Sequence, residues 1–363
     1  MGSPQSYYVH TLPGLERTAW SEIRARVDGA SSQGYKVMPG RNGLTLFTAD
    51  ELQPQLTSLR TAEDAFAVLL RVPELPWGRE GLAALEAALS RRQLTQAAED
   101  LAHAFGLLKQ RHDRIPFRMI VRLAGPEQPY RRIDLARAAG RALQRGSRGR
   151  WRAVPEGEFV ELWLNHFGYD AVLGLRLTSA AMRHREYQRQ HLPAALRPSV
   201  AAAMAWLSRP AAEDVFLDPL CGAGTILIER ALSGWHRLLL GGDISAGALA
   251  AAAENIGPRH KPRQLFHWDA NALPLADQSV NKVATNLPFG VQMSSPGELP
   301  ALYRQIASEL GRVLTPGGLA VTLSARGGLL RQLAQDTGKL FSTGVVPVDV
   351  LGQSAQISVL QRI

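Results

Sequence analysis

The string VFLDPLCGAGTILIE, residues 215–229, decides the fold of the second half of this chain. It joins an apolar run to a helix-forming run through a turn that contains Gly222 and Gly224. Glycines let the backbone turn sharply and approach a ligand, and the first amides of the next helix point to the same place. The third glycine of the dinucleotide fingerprint is replaced by Leu227, and no Gly-Lys-Ser/Thr follows, so the turn disfavours a dehydrogenase and a P-loop NTPase.

On both sides of this turn, apolar strand-like runs alternate with helical patterns from about residue 198. The strand-like runs are 215–217, 238–240, 280–284 and 319–323, and the helical ones are 226–232, 246–255 and 302–314. This alternation predicts an α/β fold built of βαβ units around a parallel sheet. The first half mixes strand and helix patterns without this order, which predicts an α+β region of two small subdomains.

Features of a binding site stand at three successive predicted strand ends: the glycine turn after the first run, Asp243 after the second and Asp269 after a third short run, Phe266-His267-Trp268. Asp243 ends the run LLLGGD, 19 residues beyond Gly224, where an acid is placed to hydrogen-bond ribose hydroxyls. Asp269 follows FHW and is able to accept a hydrogen bond from an adenine amine. A glycine turn and two acids at successive strand ends predict a nucleoside pocket at the carboxyl edge of the sheet.

The fourth strand runs into Asn286-Leu287-Pro288-Phe289-Gly290. The Asn286 side-chain oxygen and a backbone carbonyl, that of Leu287, would accept both hydrogens of an exocyclic amine. The Phe289 ring would stack on the base that carries this amine. Such a grip directs the nitrogen lone pair at an electrophile without a strong general base.

Composition narrows the class of protein further. The 363 residues include 41 basic and 32 acidic side chains, a net charge of +9, and 36 of the basic residues are Arg. Twelve arginines and three acids lie between residues 111 and 152, a basic segment expected of a phosphate-backbone binder. No apolar run reaches the roughly 20 residues of a membrane span, and no secretory signal opens the chain. A soluble, cytoplasmic protein without a membrane association is expected.

Cys221 is the single cysteine. It therefore allows no intrachain disulfide and no cysteine-based metal cluster. It also lies in the glycine turn and not near residues 286–290, which excludes a C5-pyrimidine methyltransferase with a cysteine nucleophile. The histidines show no metal-ligand spacing, so no metal is expected.

In this order, DPLCGAGT, GGDIS, WDA, NLPFG and LTPGG resemble a Rossmann-like class I S-adenosylmethionine-dependent methyltransferase that methylates amines. Upstream, TLPGLE, residues 117–143 and YDAVLGLRLT are similar to the ferredoxin-like and THUMP domains of RNA-modifying enzymes. Members of this family mostly methylate the N2 amine of guanosine in tRNA. The resemblance implies a seven-stranded, mostly parallel sheet at residues 198–363, preceded by a ferredoxin-like domain at 1–65, a THUMP domain at 66–178 and a linker at 179–197.

The resemblance also implies the residues of each site. S-adenosylmethionine would be held by Asp218, Pro219, Cys221, Gly222, Gly224, Thr225, Asp243, Ile244, Asp269, Ala270 and Asn286. The target guanine would be held by Asn286, Leu287, Pro288 and Phe289. RNA would be bound by Arg131, Arg132, Arg137, Arg141, Arg145, Arg148, Arg183, Arg185 and Arg197.

The predicted substrate is guanosine 6 in the acceptor stem of tRNA, with no obligatory protein partner evident. Position 10 of tRNA and large-subunit rRNA remain alternatives, because both present the same amine. A DNA adenine-amine methyltransferase would hold its target amine with a loop like residues 286–290. A non-catalytic RNA-binding protein would also carry a basic segment. The first half resembles the domains of RNA-modifying enzymes, which disfavours the DNA methyltransferase. The intact nucleoside pocket disfavours the non-catalytic RNA-binding protein.

Overall fold

The computed structural model describes residues 4–38, 40–50, 52–108, 114–125, 127–156, 159–190, 192, 195–290, 298–350 and 352–363. Two compact units are present: residues 1–16 with 23–182, and residues 17–22 with 183–363. Among the described residues, no helix combines the length and apolar character needed to cross a membrane.

The first unit is an α+β unit with one eight-stranded sheet. Its sheet order is β2-β3-β1-β4-β8-β7-β5-β6. The strands are β1 Gln5–Thr11, β2 Ser31–Met38, β3 Asn42–Ala49, β4 Asp64–Val72, β5 Ile115–Leu123, β6 Trp151–Ala153, β7 Val160–His166 and β8 Ala171–Arg176. Its α-helices are α2 Arg79–Leu89, α3 Arg92–Ala104 and α4 Arg132–Gly146, and 3-10 turns cover Pro54–Ser58 and Ala180–Met182. Helix α1, Glu16–Arg26, is divided between the units, with residues 17–22 in the second.

The predicted domain boundary between residues 65 and 66 needs correction, because it falls inside β4. This strand pairs with β1 on one side and β8 on the other, so the two predicted subdomains share one sheet. The Arg176 guanidinium donates from Nε to the buried Asp64 carboxylate at 2.9 Å, which ties both sides of the proposed boundary together. The apolar run of β4 has no sequence feature that distinguishes it as a strand shared by two subdomains.

The second unit is an α/β unit with a seven-stranded sheet in the order β11-β10-β9-β12-β13-β15-β14. Strands β9 to β13 are mutually parallel, and β15 is antiparallel to both neighbours. The strands are β9 Val215–Asp218, β10 Leu238–Asp243, β11 Arg263–His267, β12 Val280–Asn286, β13 Leu314–Ser324, β14 Leu340–Val350 and β15 Gln353–Arg362. The helices are α5 Pro198–Leu207, α6 Thr225–Leu232, α7 Ala246–Ile256, α8 Glu298–Val313 and α9 Gly327–Asp336.

This topology confirms the predicted seven-stranded, mostly parallel sheet of a class I methyltransferase. From β9 the chain builds outward to β10 and β11, and then returns to place β12 on the other side of β9. Such a reversal of strand order leaves a crevice at the carboxyl ends of the strands, where α/β proteins bind ligands. The crevice is where the sequence places its nucleoside pocket.

Candidate functional site

Four polar residues meet at the carboxyl edge of the second sheet. Asp218, Asp243 and Asn286 are the last residues of β9, β10 and β12, and Asp269 lies two residues beyond β11. Since these strands are parallel, their ends lie at the same edge. The structure therefore brings together the strand-end residues that the sequence singled out.

The glycine turn is a tight loop between β9 and α6. Gly222 and Gly224 have φ angles of +51° and +79°, a region that favours glycine. The loop is held by the Cys221 N–H, which donates to the Gly242 carbonyl at 2.8 Å. A Cβ atom at Gly222 would meet no atom within 4 Å, so the loop borders open space there. This gives room for a ligand to approach the backbone.

The Asp243 carboxylate holds the loop and keeps acceptor capacity. Its two oxygens accept the N–H groups of Gly222 and Ser245, each at 2.9 Å. A carboxylate has about four lone-pair positions, so these two bonds do not saturate it. Asp243 is half-buried, and the remaining positions are available for hydroxyl donors such as those of a ribose.

Asp218 is a buried acid beside this loop, with 1% of its surface exposed. Its Oδ1 accepts the Leu220 N–H at 3.3 Å. Burial raises the pKa of Asp218 to about 7, and the negative charge of Asp243 contributes to the same rise. These surroundings therefore disfavour the ionised form of Asp218. A positively charged ligand bound nearby would instead favour this ionised form.

The other predicted cofactor residues surround the same edge. Asp269 is exposed, and its Oδ1 accepts the Asn271 N–H at 2.9 Å. Ile244 exposes 64% of its surface directly after β10, an apolar side chain open to a planar ring. Pro219, Thr225 and Ala270 are buried in the walls of the loop and the strand ends.

Cys221 is also buried, with 5% of its surface exposed. Burial raises the pKa of its thiol well above the ordinary range. A thiol that stays protonated is a poor nucleophile. Its role is to pack beneath the turn.

Trp268 supports the loop from below, a role that was not predicted. Its indole Nε1 donates to the Pro219 carbonyl at 3.1 Å, and its ring stacks on Phe266 at 5.3 Å between centroids. The ring lies so close to Gly242 that a Cβ atom there would be 1.8 Å from it. The signal was a tryptophan at the end of a predicted strand, because a buried indole N–H needs an acceptor.

Asn255 on α7 was also missed. Its Nδ2 donates to the Ala223 carbonyl at 3.0 Å, and its Oδ1 accepts the N–H groups of Arg189 and Gln190 at 2.9 and 2.8 Å. A single buried amide therefore joins the glycine turn to Arg189 and Gln190 of the predicted linker, residues 179–197, which we call the connector. No local pattern reveals this residue, because its partners are 32 to 66 residues away.

One predicted RNA contact in the connector, Arg185, needs correction. Arg185 is 8% exposed and faces the buried Glu229, with 3.6 Å between Nε and Oε1. Tyr187 donates to the same Glu229 oxygen at 2.5 Å. An arginine buried against a carboxylate is not available to phosphate, so we assign Arg185 a structural role. Arg197 is exposed and Arg183 is half-buried, whereas His191, Pro193 and Ala194 of this connector lie outside the described residues.

The acceptor loop, residues 286–290, leaves β12 with one unpaired side-chain acceptor. The buried Oδ1 of Asn286 has no hydrogen-bond partner among the described residues. Leu287 is buried and donates its N–H to the Leu323 carbonyl at 2.9 Å, which fixes the loop to β13. Pro288 is exposed and Phe289 is half-buried. An unpaired buried carboxamide oxygen is costly in a protein, and one at a crevice has the capacity to accept a hydrogen bond from a ligand.

Tyr303 on α8 holds this loop and was not predicted. Its hydroxyl donates to the Pro288 carbonyl at 2.7 Å. The helix buries Leu299, Tyr303, Ile306 and Leu310, a helical repeat in which tyrosine is the one member that needs a polar partner. That exception was the signal in the sequence.

The predicted RNA-binding arginines of the first unit lie on and beside α4. One face of α4 buries Leu135, Ala138, Ala139, Ala142 and Leu143. Arg137, Arg141 and Arg145 are exposed on the other face, Arg131 and Arg132 are exposed at the start of the helix, and Arg148 is exposed just beyond its end. We call these six arginines the α4 arginine face. Arg131 pairs with Asp134 at 3.3 Å and Arg145 with Glu86 at 3.1 Å. Arg111, the first arginine of the basic segment, lies outside the described residues.

Arg132, Arg137, Arg141 and Arg148 make no ion pair within the described ranges. Their guanidinium groups are therefore not held by a direct carboxylate partner there. Arg137 and Arg141 are four residues apart, so they project from the same side of the helix. This surface attracts a polyanion by its charge.

The comparisons with known proteins agree with this geometry. Residues 185–344 match the UPF0020 family described as RMKL-like, methyltransferase domain. A Bos taurus relative, tRNA (guanine(6)-N(2))-methyltransferase THUMP3, is 30% identical over 263 residues, covering 68% of this chain and 51% of its own. A Thermus thermophilus relative, tRNA (guanine(6)-N2)-methyltransferase, is 27% identical over 304 residues, covering 78% of this chain and 88% of its own.

Among solved structures, TrmN from Thermus thermophilus aligns with a TM-score of 0.78 at 24% identity, covering 99% of this chain and 100% of its own. This likeness establishes the fold. Other relatives are named for guanine-N2 methylation of U6 snRNA or at position 10 of tRNA. The chain spans about half the length of the mammalian relatives it matches. Residues 185–344 therefore form a methyltransferase domain of the UPF0020 family, and over most of its length the chain is similar to THUMP-containing, S-adenosylmethionine-dependent guanine-N2 methyltransferases.

Proposed function

We propose that this chain methylates the exocyclic N2 amine of a guanosine in tRNA, with S-adenosylmethionine as methyl donor. The observation that carries the proposal is the buried, unpaired Oδ1 of Asn286 beside Leu287, Pro288 and Phe289. A guanine amine carries two hydrogens, and this loop offers an oxygen acceptor for one of them. It lies at the same sheet edge as the proposed cofactor residues.

The residues of the crevice fit the cofactor. Asp243 keeps lone pairs for ribose hydroxyls, Asp269 is exposed for an adenine amine, and Ile244 presents an apolar surface to the adenine ring. Asp218 provides a carboxylate that a sulfonium would stabilise in its ionised form. The bound cofactor supplies an electrophilic methyl group.

The acceptor loop then orients the target. The Asn286 oxygen and the Leu287 carbonyl each accept one hydrogen of the amine, and Phe289 stacks on the base. Held in this way, the nitrogen directs its lone pair toward the methyl carbon, so orientation supplies much of the rate. As the N–C bond forms, the bond between this carbon and the sulfonium would break and leave S-adenosylhomocysteine, and the surplus proton of the methylated amine would pass to water. Because the amine of a stem guanosine is inside the helix, the base must leave the stack before it reaches the loop.

We further propose that the α4 arginine face holds the RNA. Double-stranded RNA is recognised mostly by its shape and backbone, for which a dispersed set of guanidinium groups suffices. Guanosine 6 of the acceptor stem is the proposed position, since relatives from a mammal and a bacterium are named for it. Such a substrate would place the reaction in the cytoplasm.

The test is methyl transfer from labelled S-adenosylmethionine to unmodified tRNA, large-subunit rRNA and U6 snRNA transcripts, with nucleoside digestion of each product. We expect label in tRNA as N2-methylguanosine. A tRNA transcript in which an A–U pair replaces the pair of guanosine 6 is the matched control and should take no label. Label in rRNA or U6 snRNA alone would overturn the tRNA assignment, and label in a nucleoside that is not methylated at guanine N2 would overturn the amine assignment.

A further inference from the structure

A row of hydrogen bonds runs from the end of β13 to the acceptor loop. The Arg326 N–H donates to Ser324 Oγ at 2.9 Å, and Ser324 Oγ lies 2.8 Å from Tyr303 Oη. The Tyr303 hydroxyl donates to the Pro288 carbonyl at 2.7 Å. Ser324 and Tyr303 are both fully buried.

Counting hydrogens fixes the direction of this row. A carbonyl oxygen only accepts, so the single Tyr303 hydrogen is used on Pro288. The bond between the two hydroxyls is therefore donated by Ser324, which in turn accepts from the Arg326 N–H. Burial raises the pKa of Tyr303, so its hydroxyl keeps this hydrogen throughout the neutral and mildly alkaline range.

The row decides which way the acceptor loop faces. It turns the Pro288 carbonyl toward α8, so this carbonyl is not available to a base in the crevice. Together with the Leu287 N–H bond to Leu323, it holds both sides of the Leu287–Pro288 peptide. The Leu287 carbonyl and Asn286 Oδ1 are then the acceptors left for the amine.

We propose that Tyr303 is a positioning residue for methyl transfer, which locks the acceptor loop through the Pro288 carbonyl under the control of Ser324. The inference rests on the proposed function, because the loop is assigned to guanine there. Tyr303 touches neither substrate nor cofactor in this assignment. Its loss should therefore lower kcat and leave the binding of both reactants unchanged.

The first experiment is steady-state kinetics of Tyr303→Phe, which removes one oxygen and keeps the ring in the core. We expect kcat to fall about 10- to 100-fold, since small misplacements of a reacting group cost this much. The KM for S-adenosylmethionine and the Kd for tRNA should each stay within about twofold, because a loss confined to the transition state lowers turnover without weakening the binding of the reactants. Tyr8→Phe is the matched control: Tyr8 is fully buried and its hydroxyl also has a side-chain partner, Asn165, but it lies in the other unit. It should keep the wild-type kcat.

A double-mutant cycle tests the row itself. Ser324→Ala should lower kcat less than Tyr303→Phe, and the double variant should match Tyr303→Phe alone, because Ser324 acts through Tyr303. Additive losses would overturn the row. If Tyr303→Phe does not fold, Ser324→Ala carries the test, and an unchanged kcat in that variant would overturn the proposal.

Hydrogen exchange separates this inference from the proposed function. In Tyr303→Phe, amides of residues 286–290 should exchange faster while those of residues 218–225 do not change. If the wild type methylates tRNA but the variant keeps both its kcat and its slow exchange, Tyr303 has no positioning role and the function stands. If the wild type methylates no RNA, the function fails, and the exchange of residues 286–290 still decides whether Tyr303 locks the loop.

Discussion

The cofactor edge of the second unit and the α4 arginine face of the first unit are built in opposite ways. At the edge, Asp243, Gly222 and Asn286 are fixed by backbone hydrogen bonds or strand ends, and each has one defined position. On α4, Arg137 and Arg141 are exposed and make no ion pair among the described residues. The edge concentrates its role in single atoms, whereas the helix distributes it over several equivalent charges.

This difference predicts how each region responds to substitution. Changing one side-chain oxygen at the cofactor edge should have a large effect on one measured property, such as kcat or the affinity for the cofactor. Removing one charge on α4 should have a small effect on binding, which grows with the number of charges removed. Four changes test the contrast, ordered from the largest expected effect to the smallest.

Asn286→Ala should break the edge most severely. It removes the unpaired oxygen assigned to the amine, and we expect kcat to fall by at least about 100-fold. Calorimetry measures the affinity for S-adenosylmethionine, and filter binding measures the affinity for tRNA. Each affinity should change by less than about threefold. Asn286→Asp keeps an acceptor oxygen in place and is the control, which should retain more activity than the alanine variant. Equal activity of Asn286→Ala and the wild type would contradict the assignment of the loop.

Asp218→Asn should stabilise the ligand-free protein at alkaline pH. The pKa of Asp218 is raised to about 7, so the folded state holds a proton that the unfolded state releases near pH 4. The free energy of unfolding of the wild type should therefore fall between about pH 4 and pH 7 and then level off. The variant lacks this loss, and its advantage should grow through this window to about 2 to 4 kcal/mol.

Urea unfolding at pH 5 and pH 8.5 measures this difference. Asp336→Asn, an exposed acid on α9 of the same unit, is the control and should show no pH-dependent gain. A gain for Asp218→Asn that is the same at both pH values would show that burial does not hold Asp218 protonated.

Asp243→Asn should weaken the cofactor site by a smaller amount. Its two carboxylate oxygens each accept one amide, and an asparagine would turn an N–H₂ group toward one of them. We expect the Kd for S-adenosylmethionine to rise about tenfold or more, because the loop loses one anchor and the ribose one acceptor. Calorimetry with Asp336→Asn as control measures it, and an unchanged Kd would remove Asp243 from the site.

The α4 arginine face should show the smallest response to a single change. Arg141→Gln alone should weaken tRNA binding by less than about threefold. The triple change of Arg137, Arg141 and Arg148 to Gln should lower the slope of log Kd against log salt by about 0.7 to 0.9 for each phosphate that the protein no longer neutralises. The control is Arg185→Gln, which removes a buried charge that faces Glu229 and to which we assign a structural role. This variant should keep the wild-type salt slope. If the triple variant keeps the wild-type slope, the face is a solvated surface and RNA binds elsewhere.

The same contrast explains what could be read from the sequence. Asp218, Asp243 and Asn286 were predictable because parallel strands bring their ends to one edge, so a one-dimensional pattern has a three-dimensional consequence. Asn255 was not, because its partners are distant in the chain and follow no period. For Tyr303, the buried repeat of α8 indicates that the hydroxyl needs a polar partner, but only the fold shows that this partner is the Pro288 carbonyl.

Charge was the least reliable guide. Arg185 lies in a basic stretch of sequence, as Arg183 does, and the sequence does not distinguish the two. Only the fold reveals the buried Glu229 that Arg185 faces. The seven-stranded sheet was predictable from its motifs and their order. The continuity of the first sheet through β4 was not, since a strand shared by two subdomains looks like any other apolar run.

Strand β4 also has a consequence for how this chain tolerates cutting. Phe66 pairs with Arg176 and Tyr8 with Phe66, so the same strand uses its backbone on both sides. A protein truncated before residue 66 would present β4 without β1, its partner on that side, and unpaired strand edges recruit other chains into aggregates. Because the first 65 residues and residues 66–178 share this sheet through β4, we expect neither segment to fold as an independent module.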